Sequence, residues 1–165
     1  MSKMLGRCFS EKAIAVSAPV LKPVEAPGVD VFLGGACDPT TWRADFIPLL
    51  KARGLTYYNP QVGEWHEGLI AIEAAQKESC KILYFEIGPE TRAMASCVEA
   101  AYYIGRGRAV VLSLRPFPEG RPESQDVNRM RTFLRKLAAQ HKVPVFEEPG
   151  FGVADWMKLM LYDIL

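Results

Sequence analysis

Residues 80–114 read CKILYFEIGPETRAMASCVEAAYYIGRGRAVVLSL, and this stretch decides the fold. Cys80–Ile87 is a short apolar run with the length and β-rich content of a buried strand, and Ala109–Leu114 is a second. Between them Gly88-Pro89 breaks the chain, Thr91 is placed to cap a helix, and Gly105-Arg106-Gly107 stops it. Two buried strands joined by a helix imply a parallel βαβ unit with a right-handed crossover. On that helix Arg92, Ser96, Glu99 and Tyr103 fall at i, i+4, i+7 and i+11 and so share a face. Nearly every other residue there is Ala, Met, Cys, Val, Ile or Tyr, which makes Glu99, a single acid two turns in, the most informative position.

Outward from this unit the same alternation continues. Val29–Gly35 reads as the first strand and ends in Gly34-Gly35-Ala36, where glycines let backbone N–H groups approach a ligand closely. Asp38 is a natural N-cap with Pro39 at the first helical position, and that helix runs through Ile47, Leu49 and Leu50 to Gly54. Leu55–Tyr58 is a second strand, halted by Asn59-Pro60. Glu64–Ser79 is a helix whose Trp65, Leu69, Ile72 and Ala75 or Gln76 follow helical spacing. Beyond the central unit, Arg115–Ser124 is a Pro/Gly-rich loop. Gln125–His141 is a helix with Val127, Met130, Phe133, Leu134 and Leu137 inward, Val143–Phe146 a strand, and Val153–Ile164 a closing helix.

Strands and helices therefore alternate in the pattern of an α/β doubly wound parallel sheet with helices on both faces. Five such strands predict the order 2-1-3-4-5, with a crevice between strands 1 and 3. Gly34, Gly35 and Ala36 should flank that crevice together with Glu86, Ile87 and Gly88, and the Arg92–Glu99 face should wall it. Residues 1–28 read as an N-terminal tail, since VSAPVLKPVEAPG mixes Pro and Ala with few large apolar groups. Residues 29–165 make one domain of ordinary size.

Composition narrows the partners. Twenty Lys/Arg against nineteen Asp/Glu leave a net charge of +1, so no global field recruits a nucleic acid polymer or an anionic membrane. The run Arg121, Arg129, Arg131, Arg135 and Lys136 reads as a solvated helix face. Cys8, Cys37, Cys80 and Cys97 show no CxxC spacing, and His66 and His141 are isolated. No metal site is expected, and a reduced, cytoplasmic setting is. No apolar run reaches the roughly 18 residues of a membrane span, and no secretory signal is seen. Neither GxGxxG nor GxxxxGK[ST] is present.

The remaining candidates each carry two readings. Thr41-Trp42-Arg43 at a helix start could give a stacking surface plus an anion or carbohydrate contact; alternatively Trp42 packs on the sheet and Arg43 is solvated. Asn59 is a ligand group or a turn residue, as Asn-Pro favours turns. Glu86 binds a hydroxyl or is solvated. Glu99 faces solvent or, in a cleft, serves as nucleophile or base, with Arg92 two turns earlier able to hold an anionic substrate.

The segments VFLGGACDPTTWR, TYYNPQVGEW and ETRAMASCVEAAYYIGRGRAVVLSL resemble the nucleoside 2-deoxyribosyltransferase-like family, in its divergent branch with Gly-Gly-x-x-x-x-Thr-Thr-Trp-Arg. The resemblance implies a flavodoxin-like or Rossmann-like fold and cleavage or transfer at the N-glycosidic bond of deoxynucleosides or their monophosphates. It maps the family's glutamate nucleophile onto Glu99, and a base and sugar pocket onto Gly34 and Gly35. Thr41, Trp42, Arg43, Asn59, Glu86, Arg92 and Ser96 are further substrate-binding candidates on the reading of the residues themselves. The resemblance implies no organic cofactor or metal, and a homo-oligomer acting on a small nucleoside or nucleotide. The sequence departs from the family at Glu78-Ser79-Cys80-Lys81, which lacks an Asp, at Glu90-Thr91-Arg92, and at Ala101. The alternative is an inactive nucleotide-binding or interaction module on the same fold; another is a hydrolase with a different leaving group.

Overall fold

A computed structural model describes residues 28–64 and 66–163. The expected tail before Gly28, and Trp65, lie outside the described residues. Five parallel strands form one sheet in the order β2-β1-β3-β4-β5. These are β1 (Val31–Gly35), β2 (Tyr57–Tyr58), β3 (Ile82–Ile87), β4 (Val110–Leu114) and β5 (Val145–Phe146). The helices are α1 (Trp42–Ala52), α2 (Gly68–Ser79), α3 (Met94–Gly105), α4 (Ser124–Gln140) and α5 (Phe151–Lys158), which runs into a π-helical turn at Leu159–Asp163. None of the described helices is long and apolar enough to cross a membrane. The α/β doubly wound architecture and the strand order match the sequence expectation.

The sheet works because its middle strands are apolar on both sides. Phe32, Leu83, Phe85, Ile87, Leu112 and Leu114 pack under α3 and α4, while Val31, Leu33, Ile82, Tyr84 and Val111 pack under α1 and α5. Each fully buried side chain of this size contributes about 1.5–3 kcal/mol. β1 and β3 pair in register, Gly34 opposite Phe85 and Gly35 opposite Glu86, which sets the strand ends of the crevice side by side.

Several boundaries differ from the sequence expectation for identifiable reasons. α1 starts at Trp42 rather than beside Asp38, whose bond to Pro39 is cis. Before it the chain is folded back over the end of β1: the Thr40 hydroxyl donates to the Ala36 carbonyl at 2.6 Å. α3 starts at Met94 rather than after Thr91, and Ala93 is left-handed at φ 49°. The intervening turn is clasped from α4 by Arg131, which donates to the carbonyls of Gly88 at 2.9 Å and Thr91 at 2.7 Å, and to that of Arg115. Arg131 is thus buried, a correction to the solvated face expected for its cluster. On the same helix Phe133, expected inward, is 68% exposed; the inner line is Val127, Arg131, Leu134 and Ala138. In α2, Ile72 is 50% exposed, and the inward face carries Glu73 and Lys77 instead.

Candidate active site

Glu99 sits in the second turn of α3 on the side turned to α2, its side chain 42% exposed. Lys77, in the last turn of α2, reaches its Oε1 at 2.7 Å and Glu73 Oε2 at 3.4 Å. The lysine side chain is only 3% exposed. A cation so enclosed is costly to hold unless it is paired, and two carboxylates supply the pairing. Its ammonium also lies 4.9 Å from the centre of the Phe32 ring, and Phe32 stacks on Tyr58 with centroids 5.5 Å apart. Burial, with the charge of Glu73 adding to it, pushes the Tyr58 hydroxyl up from its ordinary value. The same two causes act on the Cys37 thiol, against the pull of Arg43.

At the end of β1, Gly34 admits no side chain: a Cβ there would lie 2.5 Å from the Phe85 ring. Gly35 has φ +128°, a conformation that favours glycine. Arg43 is not solvated. It is 2% exposed and donates to the carbonyls of Leu33, Gly35 and Ala36, stapling the strand end from α1. Trp42 is buried edge-on against Tyr84, as its packing reading has it. Exposed Thr41 lines a separate 320 Å³ cavity with Trp42, Asp45 and Arg115.

The other candidates make contacts of their own. Asn59 accepts from the Gln61 N–H at 3.1 Å, a turn contact. Glu86 is 1% exposed and receives Arg115 at 2.6 Å, so it is not solvated. Burial raises its carboxyl above the usual range although Arg115 opposes that. Arg92 is exposed and precedes the first turn of α3, and Ser96 is buried on that helix. Lys77 and Glu73 escaped the sequence reading. Their one trace there is an i, i+4 acid–base pair, which ordinarily marks a solvated helix face. Among the described residues, no group of three or more His, Cys, Asp or Glu is placed to hold a metal ion.

A family model described as "nucleoside 2-deoxyribosyltransferase like" matches residues 28–117, from the entry of β1 through β4. No curated protein matches the chain.

Proposed function

Because the chain belongs to the nucleoside 2-deoxyribosyltransferase-like family, whose model spans more than half of it, we propose that it cleaves or transfers at the N-glycosidic bond of a deoxynucleoside or its monophosphate, with Glu99 as nucleophile. The observation that carries this is the pairing of Glu99 and Glu73 on one buried lysine. Two oxygens bound to the same nitrogen at 2.7 and 3.4 Å are no more than about 6 Å apart. Retaining glycosidases space their two carboxyl groups by roughly 5–5.5 Å.

Lys77 holds Glu99 Oε1, so Oε2 is the atom aimed at sugar C1′. Its attack breaks the C1′–N bond and forms a glycosyl ester; the base leaves with the bonding electrons and takes a proton from solvent water, to which Glu73 later returns the proton it gains in the second step. Lys77 stays on Oε1, which becomes the ester carbonyl oxygen, and favours expulsion of the carboxylate in the second step. There a second base, or water that gives its proton to Glu73, attacks C1′ and restores the original configuration. Tyr58, backed by Phe32, offers an aromatic ring beside the pair for a base or sugar. The partner is a small nucleoside or nucleotide, in a cytoplasmic setting. A homo-oligomer is supported by the exposed apolar residues Val98, Tyr102 and Phe133 on the α3–α4 face.

The test is incubation with deoxynucleosides and their 5′-monophosphates, with and without an acceptor base, following free base by chromatography. Base release that disappears in Glu99→Gln supports the proposal. Thermal stabilisation by these ligands without release would leave a nucleotide-binding module in its place.

A further inference from the structure

We propose a second ligand site, for small apolar anions such as aryl or medium-chain carboxylates, at the amino-terminal edge of the sheet. A 280 Å³ cavity opens there between the starts of β3 and β4, the α4–β5 connection and α5. That is space for about nine water-sized groups. Its floor is apolar, built by Ile82, Val110, Val111, Trp156 and Leu161. Ile82, Val111, Trp156 and Leu161 belong to the core under α1 and α5 and Val110 to that under α3 and α4, so the cavity lies at the sheet's edge, and none of Glu73, Lys77 and Glu99 lines it.

The rim decides the sign of the ligand. Lys81, Arg108, His141 and Lys142 line the cavity, and among the described residues no carboxylate does. Two of these basic residues are already engaged. Lys81 meets Asp30 at 2.8 Å, and Arg108 meets Glu78 at 2.9 Å and the carbonyls of Lys77 and Cys80. Lys142 has no carboxylate within ion-pair distance among the described residues. An apolar floor rimmed by an exposed lysine that has no carboxylate partner among the described residues fits a ligand with one negative end and a hydrocarbon body.

The backbone supplies an independent sign that the lysine side chain matters. Three helices end in the same way, with a left-handed residue two positions past the last helical one. α1 uses Gly54 at φ 68° and α3 uses Gly107 at φ 72°. α4 uses Lys142, at φ 56°. Glycine adopts this conformation without steric cost and lysine does not. Non-glycine residues held in such regions cluster at ligand sites.

Isothermal titration of the full chain with octanoate, octanamide and inorganic phosphate tests the proposal. Octanoate is expected to bind at least tenfold more tightly than octanamide, which lacks the charge, and phosphate, which lacks the chain. Lys142→Gly should lose at least tenfold in octanoate affinity while Tm stays equal or rises, and Lys142→Ala should lose the same affinity. Glu99→Gln should bind octanoate as the parent does, whether or not the parent releases base. No octanoate binding at millimolar concentration, equal binding of octanamide, or undiminished binding by Lys142→Gly overturns the site.

Discussion

The ammonium of Lys77 lies 2.7 Å from the carboxylate of Glu99, closing a contact between α2 and α3 in which one partner is 3% and the other 42% exposed. Because the cation is enclosed, this pair should outweigh an ordinary surface ion pair. A double-mutant cycle of Lys77→Met and Glu99→Gln, read by urea denaturation at pH 7, should give a coupling energy of at least about 1 kcal/mol.

In turnover, the two substitutions should separate. On the proposed mechanism Glu99→Gln removes the attacking group and should lower base release by at least about 10³-fold, with loss of any glycosyl-enzyme adduct seen by mass spectrometry. Lys77→Met keeps the nucleophile but frees its position, and should lower kcat by about 10- to 100-fold with a smaller change in KM. Steady-state rates beside circular dichroism of each variant check both.

Asp30, 2% exposed at the entry to β1, gives an acid limb to stability. Burial alone would raise its carboxyl, but hydrogen bonds from Lys81, Thr56 and Tyr162 outweigh that and hold it at about 2 against an ordinary 3.8. A lowered folded value means the stabilisation is complete above about pH 4 and drains away as pH falls through 2. At about 1.4 kcal/mol per unit the contribution is about 2 kcal/mol at pH 7. Asp30→Asn should lose this amount at pH 7 and little at pH 2, measured by denaturant titration at the two pH values.

Gly35→Ala should destabilise by about 2 kcal/mol or more. The added Cβ falls 2.5 Å from the Glu86 carbonyl oxygen, which is sheet backbone, and φ +128° is unfavourable for alanine. Thermal unfolding against the parent reads this directly.

Arg43→Lys should cost about 2–3 kcal/mol and not behave as a conservative change. The planar guanidinium reaches three strand-end carbonyls at once, and an ammonium on a shorter fork leaves buried acceptors unpaired. Chemical denaturation, with Arg43→Met as the limiting case, checks it.

The strand order was legible because periodicity and breaks repeat along the chain: Cys80–Ile87 and Ala109–Leu114 differ from the observed β3 and β4 by one or two residues at their starts. What eluded sequence reasoning was polar chemistry turned inward. Arg43 and Arg131 look like solvated charges until tertiary contact supplies carbonyls from elsewhere in the chain to receive them. Phe133 looks like core by its spacing, but Arg131 takes the inward position. Within the candidate site, Glu99 stood out against its apolar neighbours, whereas Lys77 sits 22 positions away on another helix and acquires meaning only through the fold.

Arg131 has one more consequence. Its grip on the turn between Gly88 and Thr91 fixes where α3 departs from the sheet. The height at which Glu99 is presented is therefore governed by a lever on a helix that takes no part in the chemistry. A change in how α4 seats would reach Glu99 through the turn, so evolution or engineering could reposition that carboxylate without replacing any residue that touches it.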